Sequence, residues 1–362
     1  MRVQRVVSPR SGQESWTVVG DDHRPVAPVE RYLAWLSRIE RSPNTVRAYA
    51  QDLKTFWEFL VARDLVWDRV TLEQLGAYTA WLRQPADNVV LLAGAVAARR
   101  ASTVNRMLSA VMGFYEFHAR DGVRVARALV DRARSGRGHY KPFLDGIAPS
   151  RGRARVGRLP EARSAPRTLT LEQVSAVLGE QRRLRDRFLF ALLFGTGMRI
   201  GQALGLRHCD VVSHERRIEI VAREDNANGA RGKRGHGSVP VSGELMRLHS
   251  DYMHVEYGDL DCDYVFVNLW AGQVGRPMRY ANVAELVART RTRVGFHFTA
   301  HMFRHTYATL ARRGGVPLDI VSRLLTHSSV QTTSAIYCHA SPEQLRAELE
   351  QAGVLDAVGS LT

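Results

Sequence analysis

The sequence has few cysteines and no long apolar segment. Its three cysteines, Cys209, Cys262 and Cys338, lie far apart without CxxC spacing, which argues against a disulfide framework and a zinc site. No run of about 18 apolar residues occurs, so a membrane span is not expected. The N-terminus lacks the apolar stretch of a secretory signal. These absences exclude the secreted and membrane-embedded classes and predict a protein of the reducing cytoplasm.

Lysine is also rare, although the chain is strongly basic. The 362 residues include 51 lysines and arginines against 36 acidic residues, a formal net charge of +15, and only Lys54, Lys141 and Lys233 are lysines. This balance predicts a polyanionic partner, most often nucleic acid. A solvated, arginine-rich surface would give the same composition. Because lysine is so scarce, a lysine inside a chemical motif is informative.

Apolar residues at helical spacing predict an all-helical domain over residues 28–130. Ser42 and Pro43 form a helix start, with an N-cap followed by proline at the first helical position. Thr71 and Gln74 match a capping box, in which two side chains satisfy backbone groups at a helix start.

Two segments lack this periodicity. Residues 1–27 are polar and are predicted to be a flexible tail. Residues 131–167 combine glycine, proline and serine with many arginines, and they are predicted to be an interdomain linker. Such a linker could be simply solvated, or its arginines could lie along phosphates. The arginines considered for this contact are Arg151, Arg153 and Arg155.

Residues 168–340 predict a second domain, mainly helical with a small antiparallel β-sheet. Residues 217–221 and 238–241 read as strands that flank a long hairpin tip at 225–237, and residues 264–267 read as a further strand. Together with the N-terminal helices, this predicts a mainly α protein of two domains.

Four short segments in the second domain carry candidate chemistry. Arg199 follows the flexible Gly195-Thr196-Gly197, and His301 and Arg304 are three residues apart, on one face of a helix. Guanidinium and imidazole groups together suit a phosphate. Each residue alone is more typical of ordinary structure, and His305 could take the place of His301.

The other two segments contain His327 and Tyr337. An isolated tyrosine is a weak nucleophile because its pKa is near 10. Beside cations that stabilise the phenolate it becomes a credible one.

In order and spacing, Arg199, His301-x-x-Arg304, Leu-x-His327-Ser-Ser and Ile-Tyr337-x-His resemble the signature of the tyrosine recombinase, or phage integrase, family. The residues Ser42-Pro43-Asn44-Thr45 and Tyr49 resemble the first helix of the family's SAM-like core-binding domain. The resemblance covers residues 28–345 and implies that domain followed by a tyrosine-recombinase catalytic domain.

By this resemblance, Tyr337 attacks a DNA phosphodiester and forms a 3′-phosphotyrosyl link. Arg199, Arg304 and His327 hold the phosphate, and His301 accepts the tyrosine proton. Lys233, before the strand at 238–241, matches the hairpin lysine that protonates the leaving 5′ oxygen, whereas a charged loop tip would look the same. One departure is Gln202, where relatives usually carry a carboxylate three residues after the first arginine.

The resemblance also implies the partners. We expect double-stranded recombination sites, a tetramer on DNA, an accessory directionality factor, nucleoid association, and no metal or other cofactor. Residues 341–362 are predicted to form a helix that docks on a neighbouring protomer or on its own domain. A type IB topoisomerase and a non-catalytic DNA-binding regulator are the alternatives. The predicted DNA-binding residues are Thr45, Arg47, Arg106, Arg151, Arg153 and Arg155.

Overall fold

The computed structural model describes residues 1–7, 14–84, 98–123, 159–161, 166–223, 225–232, 236–270 and 272–326. The chain forms two compact units, Met1–Arg163 and Ser164–Thr362, each with its own hydrophobic core. Helices with two small antiparallel sheets confirm the predicted fold class. Among these residues, no helix is both long and apolar enough to cross a membrane.

The N-terminal unit contains the helices α1 (Ala27–Arg38), α2 (Pro43–Ala62), α3 (Leu72–Arg83) and α4 (Ala101–Arg120). Buried aromatic residues from three of these helices fill its core, where they make edge-to-face contacts typical of aromatic packing. These include Phe56, Tyr78, Phe114 and Tyr115.

Both predicted helix starts in this unit are confirmed. The Ser42 hydroxyl accepts a hydrogen bond of 3.2 Å from the Thr45 amide at the start of α2. At α3, the Gln74 amide donates to the Thr71 hydroxyl and the Thr71 amide donates to the Gln74 side chain, which completes the capping box.

The flexible tail predicted for residues 1–27 is wrong. Strands β1 (Arg2–Val7) and β2 (Glu14–Val19) pair in an antiparallel hairpin, and α1 begins at Ala27, the last residue of the predicted tail. Val18 is fully buried in the core, and the Ser15 hydroxyl is 2.9 Å from the Ser37 hydroxyl of α1. The hairpin is ordered because β2 packs against the helices, a long-range contact that local polarity does not reveal.

The predicted linker is also shorter than expected at one end. Leu159 packs against the N-terminal core, and its backbone forms two hydrogen bonds with the Asn105 side chain of α4. The Asn105 amide also donates to Glu161, at 2.5 Å. Residues 159–161 therefore belong to the N-terminal unit. They supply the hydrogen-bond partners that the buried Asn105 side chain requires.

The C-terminal unit is organised around a buried helix. Its helices are α5 (Leu171–Gly179), α6 (Leu184–Thr196), α7 (Ile200–Leu204), α8 (Gly243–Tyr252), α9 (Tyr280–Val294), α10 (Ala300–Arg313) and α11 (Leu318–Leu324). The sequence of α6 is apolar on several sides, as expected for a helix at the centre of a core. Its fully buried residues are Phe188, Leu189, Phe190, Leu192 and Leu193.

A three-stranded antiparallel sheet lies in the same unit, in the order β3 (Val211–Val212), β4 (Arg217–Ile220) and β5 (Gly237–Pro240). The strands predicted at 217–221 and 238–241 are β4 and β5. The further strand predicted at 264–267 is wrong. This segment is buried but forms only isolated bridges, because its neighbours at 207 and 277 are single positions in loops.

The start of α6 is held by a carboxylate from another helix. After Tyr252, α8 continues as a π-helical turn, Met253–Tyr257. This turn brings Glu256 to the backbone amides of Leu184 and Arg185, which donate hydrogen bonds of 3.0 and 2.9 Å. The carboxylate thus satisfies amides that have no partner within α6 and complements the positive end of its dipole.

Candidate functional site

Arg199 lies at a sharp turn between two helices. Helix α6 ends at Thr196, and Gly197 adopts a left-handed conformation with φ of +63°. Arg199 then occupies the N-cap position of α7 in extended conformation. A Cβ at position 197 would lie 2.5 Å from Cδ1 of Tyr307, so both the backbone angle and the crowding require glycine.

Gln202 connects this turn to a distant segment. Its Oε1 accepts a hydrogen bond of 2.8 Å from the Arg199 amide, and its Nε2 donates to the Thr326 hydroxyl oxygen at 2.9 Å. Nη1 of Arg199 also donates to this oxygen, at 3.4 Å. The glutamine that replaces the expected carboxylate is therefore buried and hydrogen-bonded at both ends.

Arg304, on α10, is almost completely buried, with 1% of its surface exposed. Its Nη1 donates to the Gly197 carbonyl at 2.8 Å, and its Nη2 donates to the Leu325 carbonyl at 2.6 Å. The guanidinium therefore joins the turn before Arg199 to the end of α11, through charge-assisted hydrogen bonds.

Arg199 and Arg304 thus meet at the two residues Leu325 and Thr326, which follow α11. Neither residue was singled out from the sequence. The only feature of the sequence that could have identified them is their position directly before His327. The φ of +49° at Thr326 is unusual for a β-branched residue and could not be predicted from the sequence.

The two histidines of α10 form a pair. The ring of His301 is exposed and lies 4.4 Å, centroid to centroid, from the half-buried ring of His305, in an edge-to-face arrangement. Burial, together with smaller contributions from nearby His301 and Arg304, lowers the pKa of His305 to about 4. His305 is therefore neutral near pH 7, and the exposed His301 is the better placed of the two to contact a ligand.

Three predicted catalytic residues, Lys233, His327 and Tyr337, lie outside the described residues, as do Arg151, Arg153 and Arg155. The described residues stop at Gly232, directly before Lys233, and resume at His236. A Cβ on Gly232 would lie 3.4 Å from Cγ of Gln202, and one on Gly237 would lie 3.0 Å from the Thr326 methyl carbon.

The segment before Gly232 is anchored and is not a free hairpin tip. Asn228 is buried, and its amide donates to the carbonyls of Leu204 and Met278 at 2.9 and 2.7 Å. Asn226 closes the turn with a bond to the Ala230 carbonyl. Within 225–232, the polar residues that suggested a loop therefore fix the backbone against α7.

The predicted DNA-binding residues of the N-terminal unit have structural partners. The Thr45 hydroxyl lies 2.8 Å from that of Ser42. Arg47 is exposed on α2, with its guanidinium 4.9 Å from the centre of the Trp16 ring. Arg106 is half-exposed and ion-paired with buried Asp52, whose pKa is raised by burial against the opposing effect of Arg106.

Comparisons with known proteins agree in both units. Residues 167–344 match the model of the phage integrase family, and residues 29–122 match that of the phage integrase N-terminal SAM-like domain. The chain is 34% identical over 354 residues to transposase A from transposon Tn554 of Staphylococcus aureus, covering 97% of this chain and 98% of that protein. It is 30% identical over 340 residues to tyrosine recombinase XerD of Mycobacterium leprae, covering 88% and 94%.

Solved structures show the same fold. The Tn1549 transposon integrase in complex with transposon right end DNA aligns with a TM-score of 0.62 at 17% identity, covering 90% of this chain and 98% of that one. A lambda integrase dimer bound to a core site aligns with a TM-score of 0.57 at 14% identity, covering 84% and 96%.

Proposed function

The chain belongs to the phage integrase family of tyrosine recombinases, and from this we propose that it serves a mobile DNA element as its transposase. As a member of this family it is a site-specific recombinase, which breaks and rejoins DNA strands. The full-length similarity to the Tn554 transposase, which extends over 98% of that protein, supports the more specific assignment.

The proposed reaction is a phosphoryl transfer to tyrosine. The Tyr337 oxygen bonds to the scissile phosphorus, and the bond from phosphorus to the 5′ oxygen breaks. His301 takes the tyrosine proton, and Lys233 gives a proton to the leaving oxygen. Because the phosphotyrosyl link conserves the bond energy, attack by a 5′-hydroxyl of a second duplex reverses the step without ATP.

One observation carries this assignment: Arg199 and Arg304 bind adjacent residues directly before His327. His327 is the next residue in the chain, and by the family resemblance we propose that its side chain joins these two arginines at the phosphate. Two guanidiniums and an imidazole would then surround the non-bridging phosphate oxygens, where preorganised donors stabilise developing negative charge. Arg304 acts in part by holding the Arg199 turn.

The same reasoning supports Lys233 as the general acid. Gly232, directly before Lys233, lies against Gln202, and Gly237, four residues after Lys233, lies against Thr326. Both Gln202 and Thr326 form hydrogen bonds with Arg199. A lysine brought near these two arginines would release its proton more readily, because like charges disfavour its protonated form.

The N-terminal unit is proposed to bind the duplex through α2 and α4. Arg47 is exposed, and Arg106 keeps half of its surface exposed while paired with Asp52. Arginine–phosphate contacts of this kind make affinity strongly dependent on salt. From the family resemblance we also propose a tetramer on DNA, docking of the segment 341–362 on a neighbouring protomer, an accessory directionality factor and association with the nucleoid.

Covalent capture of DNA tests the proposal. The purified chain is incubated with fragmented genomic DNA of its source organism, denatured in detergent, and the DNA that remains attached to protein is sequenced. We expect one or a few specific sequences, no adduct with Tyr337→Phe, and normal adducts with the matched variant Tyr49→Phe in the N-terminal unit. Adducts with Tyr337→Phe, or none with the unmodified chain, would overturn the proposal.

Strand exchange between two duplexes carrying the captured sequence separates transposition-type recombination from nicking and resealing alone. A recombinase joins strands of different duplexes, whereas a type IB topoisomerase-like enzyme returns each strand to its own partner.

A further inference from the structure

Thr326 has a backbone conformation that suits glycine better than threonine. Its φ of +49° places it in the left-handed region, which β-branched residues rarely occupy. The residue is also buried, with 7% of its surface exposed, so the conformation is imposed by its surroundings. Glycine would adopt this conformation without strain, so the presence of threonine indicates that its side chain has a role that offsets the strain.

This role lies in the hydrogen bonds that the Thr326 hydroxyl oxygen accepts. It accepts a hydrogen bond of 2.9 Å from Nε2 of Gln202 and one of 3.4 Å from Nη1 of Arg199. A hydroxyl oxygen has two lone pairs, so these two donors use its accepting capacity fully. Glycine at this position would leave the buried Gln202 amide without this acceptor.

The identity of residue 202 explains why an acceptor is needed. A carboxylate there could attract the arginine directly, whereas the glutamine amide group carries no charge and turns a donor towards the shared oxygen. The oxygen that faces the Arg199 guanidinium is therefore supplied by Thr326, from a different segment of the chain.

We propose that Thr326 is a positioning residue for Arg199, and that its hydroxyl replaces the contact a carboxylate at 202 would make. The inference rests on the proposed function, because Arg199 is taken to bind the scissile phosphate. Thr326 itself does not touch the reacting atoms. It fixes the direction of the Arg199 guanidinium.

Two substitutions at position 326 separate backbone strain from the hydroxyl. Thr326→Gly removes the strain and the hydroxyl, and Thr326→Ser keeps the hydroxyl with less crowding. Both are compared with the unmodified chain in single-turnover formation of the covalent complex, on a nicked synthetic duplex built from the captured sequence. Affinity for the intact duplex and melting temperature are measured in parallel.

We expect Thr326→Gly to melt within a few degrees of the unmodified chain, because relief of backbone strain offsets the lost hydrogen bond. It should nevertheless form the covalent complex at least about tenfold more slowly, because misplaced reacting groups lower the rate steeply. Duplex affinity should change by less than about threefold, since phosphate contacts across the protein dominate binding. Thr326→Ser should restore most of the rate.

Thr290 offers a matched control for loss of a buried threonine hydroxyl. Like Thr326, it is buried and accepts a hydrogen bond from a buried glutamine, Gln181, at 3.4 Å. Thr326→Val and Thr290→Val should both lower the melting temperature, but only Thr326→Val should slow covalent complex formation beyond this common effect.

The outcomes distinguish the inference from the proposed function. If the unmodified chain forms no covalent complex, the proposed function fails. If the unmodified chain reacts and Thr326→Gly reacts at the same rate, the positioning role alone is overturned. Equal slowing by Thr326→Val and Thr290→Val would also overturn it, because a general loss of stability would then account for the effect.

Discussion

The guanidinium of Arg304 and the carbonyl of Gly197 are joined by a hydrogen bond of 2.8 Å, across 107 positions of sequence. Gly197 is two residues before Arg199, so the second arginine of the signature fixes the turn that presents the first. The two arginines are therefore coupled through the backbone, and a change at one is expected to affect the other.

Replacing Arg304 with lysine should destabilise the C-terminal unit by about 2–4 kcal/mol, because a single ammonium cannot reproduce two guanidinium bonds in a buried site. Chemical denaturation followed by circular dichroism measures the change. Arg313→Lys, at the exposed end of α10, is the control and should be nearly neutral. Equal stability of the two variants would contradict the role of the buried guanidinium.

Gly197→Ala should be much more harmful than Gly229→Ala. Both glycines have positive φ, +63° and +68°, so both substitutions incur backbone strain of about 1–2 kcal/mol. Only at 197 would the new Cβ also clash, with Tyr307 and Leu325, whereas at 229 nothing lies within 4 Å. We expect an additional loss of about 2 kcal/mol for Gly197→Ala. Equal melting temperatures for the two variants would refute the steric explanation.

Trp16→Ala should loosen the N-terminal hairpin. The Trp16 ring packs against the core of the unit and makes a cation–π contact with the guanidinium of Arg47. Removing the ring should therefore cost about 2 kcal/mol of local stability. Hydrogen exchange should accelerate in β1 and β2 more than in α3. Val6→Ala, at an exposed position of β1, is the control. A hairpin that remains protected in Trp16→Ala would show that other contacts hold it.

Asn105→Leu should release residues 159–161 from the N-terminal unit. The substitution keeps the approximate size of the side chain but removes its bonds to Leu159 and Glu161. We expect faster hydrogen exchange at the Leu159 amide and faster proteolysis near it, because local opening becomes easier. Ser109→Ala, one turn further along α4, is the control. Unchanged exchange at Leu159 would contradict the anchoring role of Asn105.

His249 should make the C-terminal unit sensitive to acid. Burial lowers its pKa to about 4, with a smaller contribution from His208, whereas an unfolded histidine titrates near 6.5. Between these values the unfolded state binds more protons, so stability should fall by up to about 1.4 kcal/mol per pH unit as pH decreases, and no loss is expected above 6.5.

His249→Phe removes this titration while keeping a ring beside Phe188, which lies 5.2 Å away, centroid to centroid. The variant should therefore gain stability relative to the unmodified chain at pH 5 but not at pH 8. Melting temperatures measured across this range test the expectation, and parallel pH profiles for the two proteins would refute it.

The features that were predicted correctly depend on residues close together in the sequence. The caps at Ser42 and Thr71 are local patterns, and strands β4 and β5 follow from alternating apolar residues, so all of these were foreseen. The β1–β2 hairpin was missed because its stability comes from packing against α1 and α2 and not from its own composition.

The candidate site shows the same division. Arg199, His301 and Arg304 were identified by type and spacing, but the sequence could not show that Arg304 is buried and holds two carbonyls. Thr326 was missed because its role depends on a positive φ and on contacts to residues more than a hundred positions away.

The π-helical turn at Met253–Tyr257 links the register of α8 to the start of α6. Glu256 lies in this turn, which contains an extra residue relative to an α-helical turn, and accepts hydrogen bonds from the first amides of α6. Deleting a single residue from this turn would rotate the carboxylate by about 100° around the helix axis. We therefore expect the turn at Met253–Tyr257 to tolerate substitutions other than at Glu256 better than insertions or deletions, which would move this carboxylate away from α6.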